Sequence, residues 1–156
     1  ERYMSEPPRR RDESIVSKPM MAQIVTMGLW LTILSFVFLK VPFFDTLFEN
    51  TEQKLSAYFV LFIWSALFNA FNVRSDSFDI FKDLGQNPGF MRVFVIIVLV
   101  QAFIVNAALI PVPVFAWISN MFSCVPFPPV GWAAAILLAL TMIPVDLIRK
   151  AVVGRK

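Results

Sequence analysis

No histidine occurs in the chain, and Cys124 is its single cysteine. A disulfide within the chain is therefore impossible, metal sites built from His and Cys are excluded, and no imidazole is on hand as a base. Cys124 reads as a small apolar packing residue. Glycine is scarce as well, with five in 156 residues, and none forms a phosphate-cradling loop. No carboxylate pair sits in a pattern suited to acid–base work, so the expectation is that no catalytic residue and no metal site lie in these residues. Charge is the last shortage: 16% of residues are charged, where a soluble domain has about 25%.

Hydrophobic residues make up 58% of the chain and 17 are phenylalanine; soluble domains hold about 45–50% apolar residues. The excess gathers into four long runs. A spanning helix needs about 20 apolar residues, and runs this continuous suit helices rather than the alternation of a barrel. The reading is an all-α membrane protein with four transmembrane helices, over about 20–39, 57–73, 90–110 and 132–148. Residues 1–18 form a cytoplasmic loop segment and 19–156 the four-helix transmembrane domain. The second run is short unless its helix begins earlier, within Lys54–Ser56. The opening ERYMSEPPRRRDES is not a signal peptide, because the apolar run after it continues to full spanning length. Without a methionine at position 1, a fragment is expected.

Basic residues separate by side. Arg2, Arg9, Arg10, Arg11 and Lys18 precede the first span. Arg74, Lys82 and Arg92 lie between the second and third, and Arg149, Lys150, Arg155 and Lys156 come after the fourth. The other two connections hold only Lys40 and Lys54. Positive charge marks the cytoplasmic face, so both termini are expected to be cytoplasmic. The pI near 9.3 reflects this placement; no basic face interleaved with aromatics exists, and nucleic acid is not an expected partner. The uncharged stretch PVPVFAWISNMFSCVPFPPVGW, with its five prolines, reads as a compact outer loop in the headgroups, with a re-entrant segment as the alternative. Pro144 should kink the fourth span.

Amides and hydroxyls inside the spans stand out. Ser65, Asn69 and Asn72 are spaced i, i+4, i+7 and share one helix stripe; Gln101 and Asn106 are further intramembrane amides. Interhelical hydrogen bonds and support of a polar site are both open readings. Asp146 lies within a turn of Arg149 and Lys150 and reads as an ion pair at the end of its span rather than as an ion ligand.

Four motifs, in order, resemble calcium-type P-type ATPases. Met4–Ser17, MSEPPRRRDESIVS, is similar to the M-x-x-P-P-R-x-x-x-E-P-L-I-S segment before that family's seventh spanning helix. Met4, Pro7, Pro8, Arg9, Glu13 and Ser17 match, Ile15 and Val16 are close replacements, and Ser14 departs from the proline. FNAFNVRS, Phe68–Ser75, resembles F-N-E-I-N-A-R of the plasma-membrane pumps and C-N-A-L-N of the reticulum pumps, at the end of the eighth helix. Asn87, Pro88 and Phe90 match the N-P-x-F that opens the ninth, and VDLIRK resembles the acidic-then-basic end of the tenth.

The resemblance implies the C-terminal transmembrane region, helices seven to ten, of a cation pump closest to the plasma-membrane type. It implies ATP, Mg2+ and Ca2+ for the parent pump, with none of these used by the fragment itself. The expected partners are the remaining transmembrane helices, the cytoplasmic domains and the lipid bilayer. Asn69, Asn72, Ser65 and Gln101 are then ion-site support, and Arg9, Pro7, Pro8 and Glu13 couple to the phosphorylation domain. Reticulum-type pumps place a calcium-binding glutamate three residues before the first motif asparagine; here that position is Ala66, which implies one ion per cycle. RKAVVGRK is too short for a calmodulin-binding tail, which suggests a bacterial inner (plasma) membrane. A free-standing four-span scaffold or transporter subunit is the alternative.

Overall fold

The computed structural model describes residues 18–74, 78–79 and 88–153. In chain order the helices are α1 (Lys18–Lys40), α2 (Pro42–Asp45), α3 (Thr51–Arg74), α4 (Pro88–Asn106), α5 (Pro113–Met121), α6 (Pro129–Leu140) and α7 (Met142–Val153), with a 3-10 turn at Ala107–Leu109 after α4. Four stretches are long and apolar enough to cross a bilayer: Lys18–Lys40, Thr51–Arg74, Pro88–Leu109 and Pro129–Val152. At about 1.5 Å per residue each reaches roughly 33–36 Å, enough for a hydrocarbon core of about 30 Å. The all-α, four-span reading holds.

The second span starts at Thr51, well before 57. The Asn50 carboxamide accepts from the Gln53 amide at 2.9 Å, while Gln53 Oε1 accepts from the Glu49 N–H at 3.0 Å. This reciprocal cap satisfies donors that the first helical turn leaves orphaned, so the helix begins in polar sequence that hydropathy alone discounts. At the other end of the chain the fourth span is interrupted. Thr141 caps α6, its N–H bonding Leu138 O at 3.1 Å, and α7 restarts at Met142. Pro144 has no N–H to offer Leu140 O and its ring crowds that carbonyl, which accounts for the break three residues upstream.

Packing centres on α3, against which α6 lies most extensively. Gly131, Ala135 and Ala139 are buried at i, i+4 and i+8 on α6, the small-residue spacing that lets helix backbones approach in a membrane. Ala135 and Ala139 join Ala57, Val60 and Leu61 of α3 in one buried cluster with Phe38 and Val105. A Cβ added at Gly131 would lie 2.5 Å from a Phe48 ring carbon and 2.9 Å from Phe127. Rings fill the rest of this end of the bundle: Phe38 lies 5.0 Å from Phe44 and 6.1 Å from Phe48 between centroids, and Phe48 meets Phe127 edge-on at 6.0 Å.

The 111–131 connection is more ordered than a proline-broken loop. Its prolines flank helix α5 rather than interrupt it: Pro113 occupies the first turn, where a missing N–H costs nothing. Ser56 pins the segment between α5 and α6, accepting from the Val125 amide at 2.9 Å while donating to Glu52 O at 2.9 Å. Lys54 closes the α1–α3 turn, donating to the Leu39 carbonyl at the end of α1 at 2.9 Å and pairing with Asp45.

Replacing Gly131 by alanine is expected to lower unfolding stability by about 1–3 kcal/mol through overpacking, read by thermal unfolding of the detergent-solubilised protein. Adding Phe48→Ala should make the double variant less destabilised than the two single losses combined, because the clash is shared.

Candidate functional site

Two polar constellations lie near the end of the bundle where α1 begins and α3 ends. The first is a groove of about 410 Å3 between α1 and α3, lined among others by Gln23, Met27, Gly28, Ser65, Ala66 and Asn69. Ser65 and Asn69 are one helical turn apart and project on the same side of α3; Gln23 faces them from α1. Ser65 is fully buried, and Gln23 Nε2, Ser65 Oγ and Asn69 Oδ1 are buried atoms with no hydrogen-bond partner. Each such group costs about 1–3 kcal/mol if left unpaired, so the groove has the chemistry of a half-built interface. Gly28 opens it further, with nothing within 4 Å of where a Cβ would stand.

The second constellation joins α3 to α7. Asn72 is 1% exposed; its Nδ2 donates to Met142 O at 2.9 Å and approaches Met27 Sδ at 3.9 Å. Asp146 is completely buried and takes both basic neighbours, Arg149 Nε at 2.7 Å and Lys150 Nζ at 2.9 Å. Lys150 also donates to Asn72 O at 3.2 Å. The carboxylate of Asp146 is thus committed to two cations, the ion-pair role its sequence position suggested. Trp30 Nε1 completes the attachment by donating to Thr141 Oγ1 at 2.9 Å, at the break in the fourth span.

The sequence stripe therefore divides. Ser65 and Asn69 enter the groove, Asn72 turns to α7, and Gln101 stands apart on α4, donating from Nε2 to Phe59 O at 3.3 Å. Asn106 bonds within its own helix, to Ala102 O at 2.8 Å. Beyond Gln101, rings attach α4 to α3: Phe71 meets Phe90 at 4.9 Å and Phe94 at 5.3 Å, Trp64 meets Phe94 at 6.2 Å, and the Arg74 guanidinium lies 5.7 Å over Phe90. Gln23 is the groove residue that sequence reasoning missed; its signal was an amide early in the first apolar run. Arg9, Pro7, Pro8 and Glu13, with Lys82, Asn87, Arg155 and Lys156, lie outside the described residues. Among the described residues no three His, Cys, Asp or Glu side chains gather as a metal cluster, so oxygens offered to a cation from the groove would be amide or hydroxyl. Burial pushes the Cys124 thiol up from its ordinary pKa, in keeping with a packing role.

The family model described as "Cation transporting ATPase, C-terminus" matches residues 1–152. The chain belongs to that family. Searches of curated proteins and of solved structures returned no match. As the C-terminal membrane region of a cation-transporting P-type ATPase, the chain has the other domains of its pump as partners. The two constellations thus lie in a pump's membrane region, an unpaired polar groove beside an ion-paired clamp. The clamp holds helices within the C-terminal region; the groove leaves buried amide and hydroxyl atoms unpaired.

Asn72→Leu should lower unfolding stability of the membrane domain by about 0.6–2 kcal/mol, the range for an interhelical hydrogen bond in a membrane. Asp146→Asn should cost more, about 3–5 kcal/mol, since it strands two buried cations. Both are read from thermal unfolding in detergent, with Ile148→Ala on an exposed position as a control.

Proposed function

We propose that this chain is the C-terminal membrane scaffold of an ATP-driven calcium exporter that moves one ion per cycle. The observation that carries the reading is Ala66, whose side chain lines the α1–α3 groove between Ser65 and Asn69 at the position where reticulum-type pumps carry a calcium-binding glutamate. Calcium needs oxygen ligands, and a methyl group supplies none. None of the groove's lining residues is a carboxylate, so a second ion would find no charge compensation in the groove. Ser65, Asn69 and Gln23 instead supply a neutral polar wall that supports the ion site from one side, while Asn72 and Gln101 fix α3 against α7 and α4.

The orientation rests on charge. The ends bearing Lys18, Arg74, Arg149 and Lys150 face the cytoplasm, and on the opposite side Lys54 is neutralised by Asp45. Arg9, Pro7, Pro8 and Glu13 connect the first span to the phosphorylation domain. ATP and Mg2+ act there, on parts of the pump beyond this chain, and the pump resides in a bacterial inner membrane.

Phosphoenzyme formation by the parent pump tests this. Calcium should stimulate it with a Hill coefficient of about 1, and Asn69→Leu should weaken apparent calcium affinity while the thermal stability of the domain stays near wild type. Ala66→Glu tests the same position by adding a carboxylate to the groove and should raise the coefficient or the number of calcium ions retained by the occluded pump. Wild-type phosphorylation that ignores calcium, or a coefficient of about 2 before any substitution, overturns the reading.

A further inference from the structure

Helix α5 has one face bound to the bundle and one face bare. On the bound face, Ser119 is fully buried; its Oγ donates to Ile104 O at 2.7 Å and accepts from the Ala108 N–H at 3.2 Å. These are backbone groups freed where α4 tightens into its 3-10 turn. Phe115 meets Phe103 edge-on at 5.6 Å. The bare face carries Val114, Trp117 and Met121 at i, i+3 and i+7, exposed by 53%, 60% and 63%. Phe122 and Leu109 extend it, at 53% and 68% exposed, and no residue from Pro111 to Gly131 is charged.

Depth decides what covers that face. Ser119 lies against Ile104, five residues before the end of the third span at Leu109. At 1.5–2.0 Å per residue this is about 8 Å inside the span's end. Helices that lie in the membrane interface sink their apolar face about 5–10 Å into the boundary between headgroups and acyl chains. α4, to which α5 is bound, is itself bare along much of its length, with Leu99, Ile96 and Val93 all more than half exposed. Exposed Asn120 sits beside the stripe, roughly a quarter-turn from its centre by the 100° step of a helix, and marks the water side.

The geometry points to α5 as an interfacial lipid-binding helix: it lies in the leaflet on the side of the 41–50 turn, with Val114, Trp117 and Met121 seated at the headgroup–acyl boundary. The partner is the lipid itself. With no basic residue on α5, the contact needs apolar burial and the interfacial preference of Trp117, not anionic headgroups.

Site-directed spin labelling of the intact pump in phosphatidylcholine vesicles tests this, with a nitroxide on Trp117→Cys, Met121→Cys or Asn120→Cys and the labelled wild-type spectrum subtracted. At 117 and 121, collision with oxygen should exceed collision with a water-soluble nickel chelate several-fold, and the ratio should invert at 120. Adding anionic lipid should leave the values unchanged. High nickel accessibility at 117 and 121 overturns the proposal in favour of an aqueous loop. Low accessibility to both reagents overturns it in favour of cover by another helix or a second copy.

Discussion

Gly131, Ala135 and Ala139 carry nothing larger than a methyl group, and that is why α6 can lie directly on α3. In lipid there is no hydrophobic drive between helices, so contact area and hydrogen bonds must hold a bundle together. Close approach supplies the area here. Once α6 is seated, Phe48 and Phe127 close over Gly131, Ser56 reaches the Val125 amide, and Phe38 is enclosed by rings on the α1–α3 turn. The other end of α3 relies on polar links to α7 instead, from Asn72 to Met142 and from Lys150 to Asn72. Apolar contact at one end and hydrogen bonding at the other leave α3 as the mast of the domain.

The helices do not share that mast equally. α4 touches it through aromatic edges, one amide and the buried Ile104 and Val105 near its end, and most of its surface is bare. α1 is fixed at three heights: by Lys54 on Leu39 O, by Tyr58 on Ser35 Oγ at 3.1 Å, and by Trp30 on Thr141. Toward the start of α1, on the far side of Trp30 from the other two attachments, Gln23 faces Ser65 and Asn69 across the groove. Those three side chains leave buried polar atoms unpaired, in contrast to the clamp, where Asp146 is ion-paired and Asn72 Nδ2 donates to Met142 O.

Much of this was legible in the chain. The four spans follow from apolar length alone, and the Asp146 ion pairs follow from i+3 and i+4 spacing. The start of α3 was not found, because Asn50 and Gln53 form a cap that hydropathy scores as polar loop. α5 is hidden for a related reason: proline breaks a helix interior but suits a first turn, and composition alone does not tell the two apart. The polar stripe was correctly placed on one side of α3, but periodicity gives a direction and not a distance. It could not separate Ser65 and Asn69, which face α1 and the groove, from Asn72, which is captured by the carbonyl at the start of α7. Gln23 was invisible to the same logic, since a single amide has no period.

The interruption at Thr141 has a mechanical corollary. A continuous helix behaves as a stiff rod, whereas a missing backbone bond at Pro144 leaves the fourth span jointed near its middle. Load applied at the basic end of α7 meets its first rigid attachments through Lys150, Asn72 and Trp30, on α3 and α1. Those attachments lead to α3 and α1, the helices that wall the groove, and not to the half of the span containing Gly131 and Ala135.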